Sequence, residues 1–218
     1  MKKHKLLHAL TGYLLFVAIA PASAQEGLLQ DCFQKAEAIN AGTQASWSDL
    51  EACNPIINAF EQDDSGSFGG YNNLEISASY QNRAIIYTEL TDYERAADDL
   101  NQALSITPDS HELLLNIGVL NMLQGAYSTA IADFSELLPI EQDIQQDSEL
   151  VPQALYNRAL AYNYSGELEL AVSDLLALQQ QYTEHYVAWV TEESLPTLFP
   201  LLPELLSIQE EGAATEVL

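Results

Sequence analysis

The fold is decided by YQNRAIIY at residues 80–87 and YERAADDL at residues 93–100, two stretches with a short connection between them. Apolar residues recur in the first stretch at the spacing of one helical face. Ala84 in the first stretch and Ala96 in the second are small enough to let two helices approach closely. Pro108 then separates this unit from the next one. The pattern predicts a pair of packed helices joined by a tight turn.

The same pattern returns twice further along the chain. LLNIG at residues 114–118 precedes AIADF at 130–134, and LYNRALAY at 155–162 precedes AVSDL at 171–175. The small residue of each first helix keeps the register, because Gly118 follows Ala84 by one full period. Ala159 follows Gly118 by one period plus a short insertion. At one constant distance after each of these positions stands an alanine: Ala96, Ala130 and Ala171.

Three copies in one register resemble the tetratricopeptide repeat, a helix–turn–helix unit of about 34 residues. The resemblance covers residues 77–183, roughly half of the chain. It implies an all-α fold, a short right-handed α-solenoid of antiparallel helix pairs with three repeat units. Gly125 and Gly166 end two of the first helices as a C′ glycine does. Thr91 holds that place in the first unit, and we expect it to cost some local stability.

Oppositely charged residues recur within the units. The spacing from Arg83 to Asp99 is the same as the spacing from Arg158 to Asp174. In the second repeat, residues 114–134, Ile117 takes the place of the arginine. We expect each arginine to face its aspartate inside the helix pair and to have a structural role. An anion-binding role is the alternative, but the aspartate already neutralises the positive charge that would attract an anion.

The N-terminal segment has the features of a secretory signal. Lys2, Lys3 and Lys5 precede an apolar run, and small residues follow at 21–24. This pattern predicts a signal peptide over residues 1–24, cleaved after Ala24, and a periplasmic or secreted protein. An uncleaved N-terminal anchor is the alternative. The run is too short and broken for a comfortable membrane span, so no stable span is expected after cleavage.

Residues 25–62 resemble a degenerate helical pair that precedes the repeats. Cys32 and Cys53 lie within it, one in each predicted helix. An exported pair of cysteines usually forms a disulfide, which would staple two helices; two unpaired buried thiols are the alternative. Pro55 falls inside the second helix of the pair, so either a kink or a late helix start is expected there.

The remaining segments are assigned from composition. Residues 63–76 form a linker, and its DDSGSFGG stretch fails the calcium-loop pattern because Phe68 stands where Gly is needed. A polar insertion lies near residues 140–149. Residues 184–208 are expected to form capping helices on the third repeat, and residues 209–218 a disordered tail.

The charge of the chain limits its partners. It carries 7 Lys+Arg against 32 Asp+Glu, for a formal net charge of -25. Such a surface repels phosphate backbones, so nucleic-acid binding is not expected. A saline habitat is one interpretation of the acidity, and purposeful cation binding is another.

No catalytic constellation is visible. His111 and His185, the histidines outside the signal, have no Cys or His at metal spacing. No nucleophile elbow, zinc-protease motif or phosphate-binding loop is present. We therefore expect no metal, no cofactor and no enzymatic activity.

The resemblance implies a concave groove lined by the first helices. Its exposed positions would be Gln81, Ile85, Leu115, Val119, Met122, Leu123, Tyr156, Leu160 and Tyr164. The carboxylate clamp found in some members of the family is absent, because Gln81, Ile85, Gln153 and Asn157 replace most of it. Our first hypothesis is a non-catalytic protein–protein interaction module of the bacterial cell envelope that binds a protein or peptide segment in this groove. The alternative is an accessory subunit of an envelope assembly or transport complex, docked through its C-terminal Leu/Pro-rich segment.

Overall fold

The structure is a computed structural model that describes residues 26–62, 71–138 and 149–190. All regular secondary structure in these ranges is helical, which confirms the all-α prediction. The helices are α1 (Glu26–Asn40), a 3₁₀ helix (Trp47–Ala52), α2 (Asn54–Glu61), α3 (Asn73–Glu89), α4 (Tyr93–Ile106), α5 (His111–Leu123), α6 (Tyr127–Leu137), α7 (Leu150–Ser165), α8 (Leu168–Gln181) and α9 (Thr183–Trp189).

The chain divides into two compact units, residues 1–124 and 125–218. The predicted signal peptide, the acidic loop at 63–70, most of the insertion and the chain beyond residue 190 lie outside the described residues.

The helix pair α3–α4 forms the centre of the first unit. The two helices pack along their length, and α1 packs on α3. Ala84 and Ala96 are both fully buried, as the close approach of two helices requires. Asn72 caps α3, because its Oδ1 accepts from the backbone N–H of Glu75 at 3.0 Å and the Glu75 carboxylate accepts from that of Asn72 at 2.9 Å. This capping box starts the helix at Asn73, inside the range predicted as a linker.

A disulfide joins the N-terminal helices. Cys32 in α1 and Cys53, just before α2, are bonded with their Cα atoms 4.7 Å apart, as the sequence predicted. Pro55 lies in the first turn of α2, where a missing N–H leaves no helical bond unmade. The helix therefore starts late instead of kinking. Closing a loop of this length contributes about 3 kcal/mol of stability in the chain-entropy estimate.

In the second unit α7 packs between α6 and α8. Ala159 of α7 and Ala171 of α8 are buried at the approach of this pair. The last described helix, α9, packs against α8, and its Trp189 ring lies 5.8 Å from the ring of Tyr156. The helices of this unit are thus held together by small residues at close approaches and by aromatic contacts.

The turn inside each helix pair has a left-handed residue. Gly166 follows α7 with φ +90°, a conformation that glycine adopts without steric cost. Thr91 takes the equivalent place between α3 and α4 with φ +62°. A β-branched residue in this region is strained by about 1–2 kcal/mol. The sequence expectation of a local cost at Thr91 agrees with this geometry.

Candidate functional site

The residues predicted to line a groove are nearly all buried. In the first unit this holds for Gln81, Ile85, Leu115, Val119, Met122 and Leu123, and in the second for Tyr156 and Leu160. Tyr164 is half-buried and stacks on Tyr127 with the ring centroids 5.7 Å apart. The expectation that these positions are exposed is therefore wrong for the eight buried ones, and Tyr164 is only partly exposed.

The cause lies in the composition of the first helices. Helix α5, HELLLNIGVLNML, carries apolar residues around most of its circumference and not only along one stripe. Helices α3 and α7 also bury most of their residues, including polar ones such as Gln81 and Asn157. A helix that is apolar or tightly packed on every side is buried, whereas an exposed groove needs an amphipathic helix.

Arg83 lies against Asp99 across the α3–α4 pair. Its Nε donates to Asp99 Oδ2 and its Nη2 to Oδ1, both at 2.7 Å, which makes a bidentate ion pair. Its remaining Nη1 donates to Oδ1 of Asn54 in α2 at 2.9 Å. The arginine therefore ties three helices of the first unit together.

The second compact unit, residues 125–218, repeats this arrangement. Arg158 Nε and Nη2 donate to the two carboxylate oxygens of Asp174 at 2.7 and 2.6 Å, and Nη1 donates to Ser135 Oγ at 2.9 Å. Its guanidinium lies 5.6 Å from the centre of the Tyr162 ring. Sequence reasoning did not find Asn54 and Ser135, because they precede their arginines by 29 and 23 residues and share no spacing.

The electrostatics of the first pair explain why no anion is needed. Burial raises the pKa of Asp99, and the hydrogen bonds from Arg83 oppose that rise. For Arg83 burial acts in the opposite direction and lowers the pKa. The hydrogen bonds to Asp99 and the charge of that carboxylate outweigh the effect of burial, so the pKa of Arg83 is raised overall. The arginine stays charged and its charge is matched inside the unit, which supports a structural role.

An aromatic cluster lies at the surface of the first unit. The Trp47 ring, at the start of the 3₁₀ helix, is 6.4 Å from the Tyr87 ring in an edge-to-face arrangement. The guanidinium of Arg95 lies 5.9 Å from the centre of each ring. Trp47 is 54% exposed. No repeat or spacing in the sequence relates these residues, and the signal for the cluster is a tryptophan in the polar stretch Ser46-Trp47-Ser48.

The described residues contain no group of His, Cys, Asp and Glu that could hold a metal ion. His185 contacts the rings of Tyr182 and Trp189, which suits a packed aromatic helix end. No helix in the described ranges is long and apolar enough to cross a membrane.

The α3–α4 pair matches a known repeat family. A family model described as tetratricopeptide repeat matches residues 77–110, one full repeat that spans most of α3 and all of α4. This helix pair is a tetratricopeptide repeat. No solved structure matches the chain. Residues 114–134 share with this repeat the register of its small residues, and residues 155–175 share both that register and the Arg–Asp pair. Tetratricopeptide repeats generally act as non-enzymatic scaffolds for protein–protein interaction.

Proposed function

We propose that this protein is a non-catalytic interaction module exported to the bacterial cell envelope, where it binds a segment of another protein. The tetratricopeptide repeat at residues 77–110 carries the proposal, since this family supplies protein-binding scaffolds. The signal-like N-terminal sequence and the Cys32–Cys53 disulfide support the location, because such bonds persist in oxidising compartments.

The rigidity of the scaffold also supports this function. One bidentate Arg–Asp pair fixes the helices of each compact unit. In the first unit the disulfide also fixes the N-terminal helices. A fixed scaffold loses little conformational entropy when a partner binds. The contact surface itself is to be sought among exposed side chains, because the groove positions predicted from sequence are buried.

Site-specific photo-crosslinking in the native envelope tests the proposal. A photoreactive amino acid is placed at three exposed positions, Trp47, Leu74 and Leu170, which sample both units. We expect a discrete protein adduct at one position or more. No adduct at any of them, in a chain that remains folded, would contradict an interaction module.

The same experiment separates the alternative of a subunit docked through its C-terminal segment. A variant that lacks residues 195–218 keeps its adduct if the helical units make the contact. Loss of the adduct in this variant alone would favour the accessory-subunit hypothesis.

A further inference from the structure

We infer that the surface formed by Trp47, Tyr87, Thr91 and Arg95, here called the Trp47 surface, binds a basic segment of the partner protein. The inference rests on the proposed function in that it assumes a protein partner. It adds which surface is used and which chemistry it recognises.

The composition of the Trp47 surface is that of an interface centre. Tryptophan, tyrosine and arginine dominate the binding energy of protein interfaces, because they combine a large contact area with polar groups. Here they form one continuous cluster, with Arg95 5.9 Å from both ring centres. Among the large apolar side chains that are exposed in the described ranges, Trp47 is the only aromatic one; the others are leucines.

Two concavities adjoin the aromatic cluster of the Trp47 surface. Trp47 lines a shallow concavity of about 500 Å³ with the turn residues Leu90, Thr91, Asp92, Tyr93 and Glu94. Tyr87 and Arg95 line a second concavity of about 620 Å³ that reaches back to Glu61 and Tyr80. An extended segment that crosses the cluster can thus place side chains on both sides of it.

Two features of the first concavity are typical of binding sites. Thr91 adopts φ +62°, and strained residues of this kind cluster at binding sites. The hydroxyl of Tyr93 is buried and has no hydrogen-bond partner among the described residues. A bound backbone that displaces the neighbouring side chains can supply that partner.

The charges select a basic occupant. Arg83 and Arg95, the arginines beside the second concavity, are paired with Asp99 and Asp92. Glu94 and Asp98 are exposed at the two concavities and form no ion pair with any described residue. A lysine or arginine of the partner can lay its apolar stem on the Trp47 ring, where a cation is attracted to the π face, and reach these carboxylates.

A second copy of the chain fits the surface poorly. Each copy carries a formal net charge of -25, so two acidic surfaces would repel each other. A basic segment instead gains from the same charge during encounter as well as in the complex.

Fluorescence anisotropy with two labelled peptides tests the inference. The probes are a short peptide of alternating lysine and leucine and the same peptide with glutamate for lysine, each titrated with the full chain at physiological ionic strength. We expect the Kd of the lysine peptide to rise about tenfold in Trp47→Ala, the loss typical of an interface centre. Leu74→Ala is the matched control, since Leu74 is 68% exposed but lies at the other end of α3. We expect it to change the Kd less than twofold.

Three results would overturn the inference. The first is an equal Kd in Trp47→Ala and Leu74→Ala, which would mean that net charge alone holds the peptide. The second is binding of the glutamate peptide as tightly as the lysine peptide. The third is a wild-type dimer in sedimentation that Trp47→Ala converts to a monomer, because a second copy would then occupy the surface. Crosslinked adducts at Leu74 or Leu170 in any of these cases would leave the proposed function standing.

Discussion

Replacing Arg83 by methionine should lower the free energy of unfolding by about 3 kcal/mol. The side chains of Arg83 and Asp99 are only 13% and 6% exposed, and two hydrogen bonds of 2.7 Å join them. Removing one partner of a buried pair costs about 3–5 kcal/mol, because it leaves a charge uncompensated. The residual exposure of the arginine places the expected loss at the lower end of that range. For a chain of this size the Tm should fall by about 6–12 °C.

Urea unfolding followed by far-ultraviolet circular dichroism measures this loss, and the chain supplies two matched controls. Arg158→Met breaks the equivalent pair with Asp174, whose side chains are 17% and 7% exposed, and should cost a similar amount. Arg95→Met breaks an exposed pair with Asp92, at 59% and 24%, and should cost less than about 1 kcal/mol.

The double variant Arg83→Met with Asp99→Leu separates the pair from simple loss of packing. An apolar pair of similar volume often replaces a buried ion pair at little cost, so the double variant should recover most of the loss. The reasoning would be refuted if Arg83→Met were no more destabilised than Arg95→Met. It would also be refuted if the double variant were as unstable as the single one.

Three further predictions concern the turn, the disulfide and pH. Thr91→Gly should raise the free energy of unfolding by about 0.5–1 kcal/mol in urea titrations, because glycine relieves the strain at φ +62° but loses more backbone entropy on folding; an unchanged value would show that the turn is not strained. Replacing Cys32 and Cys53 by serine should lower stability by about 3 kcal/mol, and a reductant should destabilise the wild type but not this variant; equal sensitivity to reductant would contradict a closed disulfide. The pKa of Asp49 is lowered, chiefly by its hydrogen bond with Lys35. Its stabilising contribution is therefore present above the ordinary aspartate pKa of 3.8 and is lost as pH falls through the lowered value. Thermal unfolding from neutral to strongly acidic pH should show a steeper decline for the wild type than for Asp49→Asn, and parallel curves would rule the contribution out.

Much of the fold could be predicted from sequence because the repeat is a local pattern. The spacing of Ala84 and Ala96 reflects the contact of two helices that are neighbours in the chain, so short-range periodicity is enough to find it. The spacing of 16 residues between Arg83 and Asp99 spans the same helix pair. The sequence allows either a kink or a late helix start at Pro55, and only the structure places this residue in the first turn of α2.

The candidate site was harder to predict, for two physical reasons. Exposure depends on everything that packs around a helix, and the pattern of α5 does not show which of its apolar sides is covered. The Trp47 surface joins the 3₁₀ helix to the end of α3, the α3–α4 turn and the start of α4. All of α2 and most of α3 lie between these segments in the chain, and no repeat relates them. Such contacts arise from packing between non-neighbouring segments.

The sequence by itself predicted the helical class, the repeat register and the Arg–Asp pairs, since each follows from spacing within a helix pair or from composition. It favoured a bond between Cys32 and Cys53 over two unpaired thiols, and the structure decided that choice. Only the tertiary structure decided that the first helices are buried and that Asn54 and Ser135 complete the arginine networks. It also brought Trp47 beside Tyr87 and Arg95. These features depend on which distant segments pack together, and that is set by the balance of burial and charge over the whole unit.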